Sequence, residues 1–213
     1  DPGLKVDGLN IERPRDFSYR DQISSPVDEL TERAEAIKSY VRKERVDGTT
    51  KATIYSDFHA ILPCSLERLA AVLLNHQNED RVFSRMKYTE DLTPERPPEE
   101  PHFQEVEIEF KFFGIGVDYR YILFRVPKRT DEDSFLIHWS LAHSFDGAFE
   151  EIYGSWYLQR LEDTRSTYVR NYVKTVMVDP VPFLKTFTDL FGPSNVRTFF
   201  RELEKAACGA DVR

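Results

Sequence analysis

The residues that could do chemistry are scattered along this chain rather than gathered into one motif. It carries five histidines. His138 and His143 have opposite parity on one expected strand, so they face opposite sides. His59 belongs to a distant strand. With no HxH pair and no HExxH pattern, no metal site is read. There is no GxSxG turn and no phosphate-binding glycine loop. Cys64 would be activated if it sat at a helix start, where the dipole lowers a thiol pKa. A small residue at a tight turn is the simpler account and is preferred. Cys64 and Cys208 show neither metal nor redox spacing, and each is read as a thiol rather than half of a disulfide. No catalytic residue and no cofactor is assigned.

Polar residues on otherwise apolar strand faces say more. Arg125 shares parity with Tyr119, Tyr121 and Leu123. Asn171 lies between Val169 and Val173, and Ser56 between Ile54 and Phe58. Buried polar groups need partners, so these side chains point to a ligand or an internal water. Strand bulges that turn some of them outward are the alternative. Trp139 and Trp156, with Phe58, Phe110 and Phe112, form a core or a pocket wall. Both roles need inward apolar side chains, so a lined pocket and a filled core stay open.

The elements that must position these residues follow from periodicity. Residues 179–207 are expected as a long helix. Its apolar stripe runs through Leu184, Phe187, Leu190, Phe191, Val196, Phe199, Phe200, Leu203 and Ala207. Gly192-Pro193 should break or kink it. Before it come strands at 51–61, 86–92, 103–113, 117–126, 135–142, 151–161 and 167–177. The third alternates cleanly, with Glu105, Glu107 and Glu109 opposite Val106, Ile108, Phe110 and Phe112. A helix over 66–74 and a short helix or turn over 75–82 separate the first two strands. Near the start, Ser25-Pro26 looks like a helix cap, and Val27, Leu30, Ala34, Ile37 and Val41 form a stripe that ends at Asp47-Gly48. Residues 1–50 are therefore expected as an arm plus an amphipathic helix packed on a domain spanning 51–213.

Composition narrows the function. A formal net charge of −8 argues against nucleic acid, whose phosphates need clustered Lys and Arg. No apolar run is long enough to cross a bilayer, and the balance of residues fits a soluble globular chain. The chain begins at Asp1 rather than Met, which leaves export open and the compartment unassigned.

The element order, and several local marks, resemble the START / polyketide cyclase / Bet v 1 superfamily, from about residue 51 to 207. Ile61-Leu62-Pro63 before Ser65-Leu66-Glu67 resembles the first strand turning into the first helix. Val117-Asp118-Tyr119-Arg120 resembles the arginine-bearing strand of START-like members, although Tyr121 stands where an Asp often follows. Gly154-Ser155-Trp156 and Thr167-Tyr168-Val169 resemble the last hairpin. Asp179-Pro180 with Pro182 resembles the entry to the C-terminal helix, and residues 196–203 its second half.

The resemblance implies an α+β helix-grip fold. A curved antiparallel sheet of about seven strands would wrap the interrupted C-terminal helix, with the N-terminal helix as an extra. It implies a pocket for a hydrophobic small molecule or lipid. Its expected ligand-binding residues are Phe58, Phe110, Phe112, Tyr119, Tyr121, Arg125, Trp139, Trp156, Asn171 and Phe187. The apolar tip Phe112, Phe113 and Ile115 would rim the mouth and touch a membrane transiently. Binding is preferred to catalysis. One alternative is a cyclase or aromatase in which Tyr121, Arg125 or Asn171 acts as acid or orienter. A second is a protein-interaction module with a filled core.

Overall fold

Residues 51–58 of the long strand β4 (Thr49–Leu62) alternate between less buried and buried. Ile54, Ser56, Phe58 and Ala60 turn to one side, and Tyr55 and Asp57 to the other. In a computed structural model, residues 4–6, 9–11, 35–112, 115–162, 165–179 and 193–209 are described, with 4–6, 9–10, 35–40, 110–112, 115–116 and 193–196 as backbone alone.

The remaining large strands are β3 (Glu35–Val46), β5 (Met86–Asp91), β6 (His102–Phe112), β7 (Ile115–Arg129), β8 (Ser134–Ser144), β9 (Phe149–Arg160) and β10 (Thr167–Val178). They form one eight-stranded sheet in the order β3-β4-β10-β9-β8-β7-β6-β5, every pair antiparallel. Near the start, β1 (Leu4–Val6) and β2 (Leu9–Ile11) make a separate ribbon. Ile11 is buried in a cluster with Phe103, Ile122 and Phe124.

The connection from β4 to β5 joins strands near opposite ends of the sheet, and its helices bridge that gap. Helix α1 (Leu66–Leu74) buries Leu66, Leu69, Ala70 and Leu73, the spacing of one helical face. A 3-10 turn (His76–Asn78) and the short α2 (Glu79–Val82) follow. The C-terminal helix (Pro193–Cys208) begins at a proline, which suits a first turn that has no use for that N–H. Phe200 and Leu203 of this helix share a buried cluster with α1, Phe58, Phe83 and Trp156. A second cluster, around Ile54, Val106, Tyr121, Phe149, Ile152 and Met177, occupies the other part of the concave face.

Three expectations are corrected. The N-terminal helix expected to run up to Asp47 is strand β3 over Glu35–Val46, and this strand is the eighth of a sheet expected to have about seven. Ile37 and Val41 lie four apart, a spacing in phase with both a helix and a strand. The register decides, with Ile37 opposite Phe58 and Val41 opposite Ile54. Asp47-Gly48 is the hairpin turn between β3 and β4, both residues at positive φ (50° and 83°), as a two-residue turn of that hand requires. Finally, Cys64 and Cys208 form a disulfide, with Cα atoms 5.9 Å apart. Their separation of 144 residues hid the pairing. The bond ties the turn before α1 to the last turn of the C-terminal helix. Of the long helix expected over 179–207, residues 180–192 lie outside the described residues.

Candidate functional site

Between the two buried clusters lies a cavity of about 230 Å³, neither a closed void nor a flat groove. Its wall combines strand residues that face inward by parity. From β4 come Ile54 and Phe58, from β6 Val106 and Ile108, and from β7 Tyr121 and Leu123. Trp139, Phe149, Ile152 and Trp156 continue the wall across β8 and β9, and Val173 and Met177 close it on β10. Phe83 and Phe199 face it from the helical side.

The aromatic part of the wall is ordered by stacking. Phe199 lies between Phe83 (ring centroids 3.9 Å apart, planes at 15°) and Trp156 (5.5 Å, 4°). Trp139 lies against Gly154, where a Cβ would stand 2.6 Å from the indole Cζ2 and 2.5 Å from the Tyr172 carbonyl oxygen. Only the missing side chain lets that indole rest on the strand.

One polar cluster faces the cavity. Arg125 is 3% exposed and lines it with Glu79 and Gln104. Its Nη1 donates to Glu79 Oε1 (2.8 Å) and Gln104 Oε1 (2.7 Å), and Nη2 donates to the Leu73 carbonyl (3.1 Å). Gln104 Nε2 donates to Glu79 Oε2 (2.9 Å) and to the His76 carbonyl (3.0 Å). A buried ion pair is tolerable when further hydrogen bonds satisfy both ions, as here. Arg125 Nε is the exception, with no hydrogen-bond partner among the described residues. Tyr121 stands at the same wall. Burial, helped by the Glu79 charge, pushes its phenol well above the usual range, so it stays protonated.

Behind this cluster, His76 and His102 stack at 3.7 Å. Each Nδ1 hydrogen-bonds a carbonyl two residues back, Leu74 at 2.9 Å and Glu100 at 3.0 Å. His76 Nε2 lies 3.1 Å from Asp91 Oδ2 without hydrogen-bond geometry. Burial, with the Arg125 charge next, holds both imidazoles neutral; His102 is pushed down to about 3 and His76 is lowered.

The cavity opens where its lining becomes exposed, at Ser84, Arg85 and Thr198, with half-buried Glu109 and Glu202 beside them. On the opposite face of the sheet is a second polar network, remote from this lining. Asp57 accepts from Arg170 Nε (2.8 Å) and Nη2 (2.9 Å), and His59 Nε2 lies 3.0 Å from it. His59 Nδ1 meets the Tyr168 hydroxyl. Burial raises the Asp57 pKa, but the bonds and charges of His59 and Arg170 outweigh it and set it at about 2.

The cavity brings together Phe58, Tyr121, Arg125, Trp139, Trp156 and Asn171. Tyr119 is not among its lining residues. It packs edge-on against Phe149 at 5.2 Å instead. Ser56 is buried with its hydroxyl unpaired among the described residues, yet it too is absent from the lining. The side chains of Phe110, Phe112 and Ile115, and residues Phe113 and Phe187, lie outside what is described. Glu79, Gln104 and the histidine pair were missed. Gln104 carried a signal: it has the parity of Val106 and Ile108 on the apolar side of its strand. Glu79 carried none, because α2 is a single turn in a polar stretch.

No protein-family model matches the chain, and no curated protein matches it in sequence. Solved structures do match in shape. A STAR-related lipid transfer protein from Xanthomonas axonopodis superposes with a TM-score of 0.57 at 9% identity, covering 78% of this chain and 97% of that one. The Zhui aromatase/cyclase from a Streptomyces species gives 0.56 at 10% identity, covering 75% and 98%. Human StAR-related lipid transfer protein 5 gives 0.53 at 10% identity, covering 81% and 87%. The fold is the START/Bet v 1-like helix grip.

Proposed function

We propose that this protein binds a hydrophobic small molecule in the internal cavity, with one polar atom of that molecule held at Arg125. The observation that carries the reading is the pairing of an apolar wall with a buried polar cluster, Arg125, Glu79 and Gln104, lining the same cavity. Burying apolar ligand surface supplies affinity at roughly 25 cal/mol per Å². A few polar groups converging on an apolar pocket fix a ligand's orientation. Shape neighbours described as lipid transfer proteins support the same reading.

The chemistry of the cluster favours holding over turnover. Glu79 and Arg125 are engaged with each other and with Gln104, so the charges of the cluster are spent within it rather than on a reacting group. The tip Phe112, Phe113 and Ile115 joins the strands that carry Ile108 and Tyr119. Its apolar sequence supports a transient membrane contact there, which vesicle flotation of Phe113→Asp would test.

The deciding experiment is solvent extraction and native mass spectrometry of gently purified protein. An apolar molecule released in stoichiometric amount is the expected result. Protein that carries nothing, and that binds no apolar probe in solution, overturns the reading.

A further inference from the structure

One stretch of chain, residues 75–85, runs from beneath the polar cluster to the mouth of the cavity. Its base is the 3-10 turn His76–Asn78 with α2. There the His76 carbonyl accepts from Gln104 Nε2 (3.0 Å), and Glu79 accepts from Gln104 (2.9 Å) and Arg125 (2.8 Å). Its tip is Phe83, stacked on Phe199 at 3.9 Å, then Ser84, whose N–H donates to Glu202 Oε2 (3.4 Å), then Arg85. Phe83, Ser84 and Arg85 line the cavity, and Phe199 and Glu202 face it from the C-terminal helix. The stretch is thus one side of the opening, fastened at base and tip.

The base rests on two stacked imidazoles. His76 is 3% exposed and His102 2%, with ring centroids 3.7 Å apart. A carbonyl only accepts, so the Nδ1 atoms that meet the Leu74 and Glu100 carbonyls carry the hydrogens. Both Nε2 atoms then hold bare lone pairs, and neither has a hydrogen-bond partner among the described residues. A second proton would sit there, out of water and against the other ring.

The charged groups acting on the pair are Arg125 on β7, Asp91 on β5 and Glu79 on α2. The carboxylates favour a positive ring. Burial, and after it Arg125, outweigh them, holding His102 at about 3 and His76 below its ordinary value. Once the stretch lifts, the rings meet water and titrate near the ordinary 6.5. The closed form is therefore fully favoured above pH 6.5, and that advantage is lost as the pH falls towards 3.

We propose that residues 75–85 form an acid-released flap over the cavity mouth, with the His76–His102 stack as its trigger, so that acid frees the bound molecule. The inference rests on the binding reading above and adds the regulation of that site.

The test is stopped-flow release of N-phenyl-1-naphthylamine, an apolar fluorophore uncharged at both pH values, from the full chain into excess cyclodextrin at pH 7 and pH 5. His102 alone raises the ratio of open to closed flap about 25-fold between those values, and release should accelerate by at least that factor. His102→Phe keeps a ring on His76 but cannot titrate. In it that factor should vanish, leaving only the share of His76. His102→Gln, which keeps a donor for the Glu100 carbonyl, is the second variant where the first does not fold. Amide exchange, corrected for its intrinsic pH dependence, should show residues 75–85 opening more often at pH 5 while β9 and β10 stay protected.

Equal release at the two pH values, or the same acceleration in the variants, overturns the flap. Loss of protection in β9 and β10 along with residues 75–85 also overturns it, since the whole domain is then unfolding. A fluorophore that does not bind even at pH 7 counts against the binding reading instead. Exchange then decides the acid-released opening by itself, and unchanged exchange over residues 75–85 overturns it.

Discussion

The ring of Phe199 lies parallel to the indole of Trp156, 5.5 Å away and within 4°. One comes from the C-terminal helix and the other from the middle of the sheet, so this contact joins helix to strand across the cavity. Phe83 completes the stack from the turn after α2. Phe199→Ala removes the middle ring. Phe to Ala in a full core costs about 3–5 kcal/mol. Phe199 is only half-buried, so about 2 kcal/mol is expected in urea unfolding. Ligand dissociation followed by stopped flow should accelerate, since the ring is part of the wall. An unchanged dissociation rate would place the exit elsewhere.

Gly154→Ala tests the seat of Trp139. The new methyl would stand 2.5 Å from the Tyr172 carbonyl oxygen and 2.6 Å from the indole. The carbonyl belongs to a paired strand and does not yield easily. Overpacking of this kind costs about 1–3 kcal/mol. The indole, displaced into the cavity, should also weaken binding. Denaturant midpoint and affinity for an apolar probe are the two readouts, and both should fall.

The Cys64–Cys208 disulfide fastens the far end of the C-terminal helix to the start of α1. Closing so long a loop constrains the unfolded chain strongly. Reduction, or the Cys208→Ser variant, is expected to cost about 2–4 kcal/mol. Thermal unfolding with and without a reductant measures it. Thiol titration of the untreated protein should find no free cysteine.

Acid should loosen the region behind Arg125. His102 has a folded pKa of about 3, against an ordinary value of 6.5, because burial and the nearby Arg125 and His76 charges oppose protonation. A base whose pKa is depressed on folding stabilises the fold fully above the ordinary value. That contribution is lost as pH falls from about 6.5 towards 3. From pH 7 to 5 it amounts to about 2 kcal/mol for His102. His76 and His138 are depressed in the same direction, while Asp91 and Glu79 oppose the effect at His76. Asp57 adds a later loss, between about pH 4 and 2, as its depressed carboxyl is protonated. His102→Phe keeps a ring against His76 but cannot titrate. Its stability should fall less between pH 7 and 5 than that of the parent, in denaturant titrations at each pH.

Much of the cavity was legible in the sequence because strand geometry is simple. Parity alone placed Arg125 with Tyr121 and Asn171 with Val173, and all four face the cavity. Parity would also have placed Gln104, had it been applied to the polar member of that strand. Tyr119 shares the parity of Tyr121 but misses the lining, because parity fixes a face and says nothing of position along a curved strand. Ile37 and Val41 misled for another reason. Their spacing fits two periods, and only hydrogen bonding to β4 selects one.

By itself the sequence determined the antiparallel strands, the amphipathic α1 and the inward face of each strand, since these depend on local alternation and on side chains near in the chain. Tertiary structure alone decided the Arg125–Glu79–Gln104 cluster, the disulfide and the Phe83–Phe199–Trp156 stack. Each of these joins residues from separate elements, and their meeting depends on how far the sheet bends and where the helices cross it. No local period carries that information. The volume left over, and with it the size of what can bind, is a difference between large packed volumes, so it exists only in three dimensions.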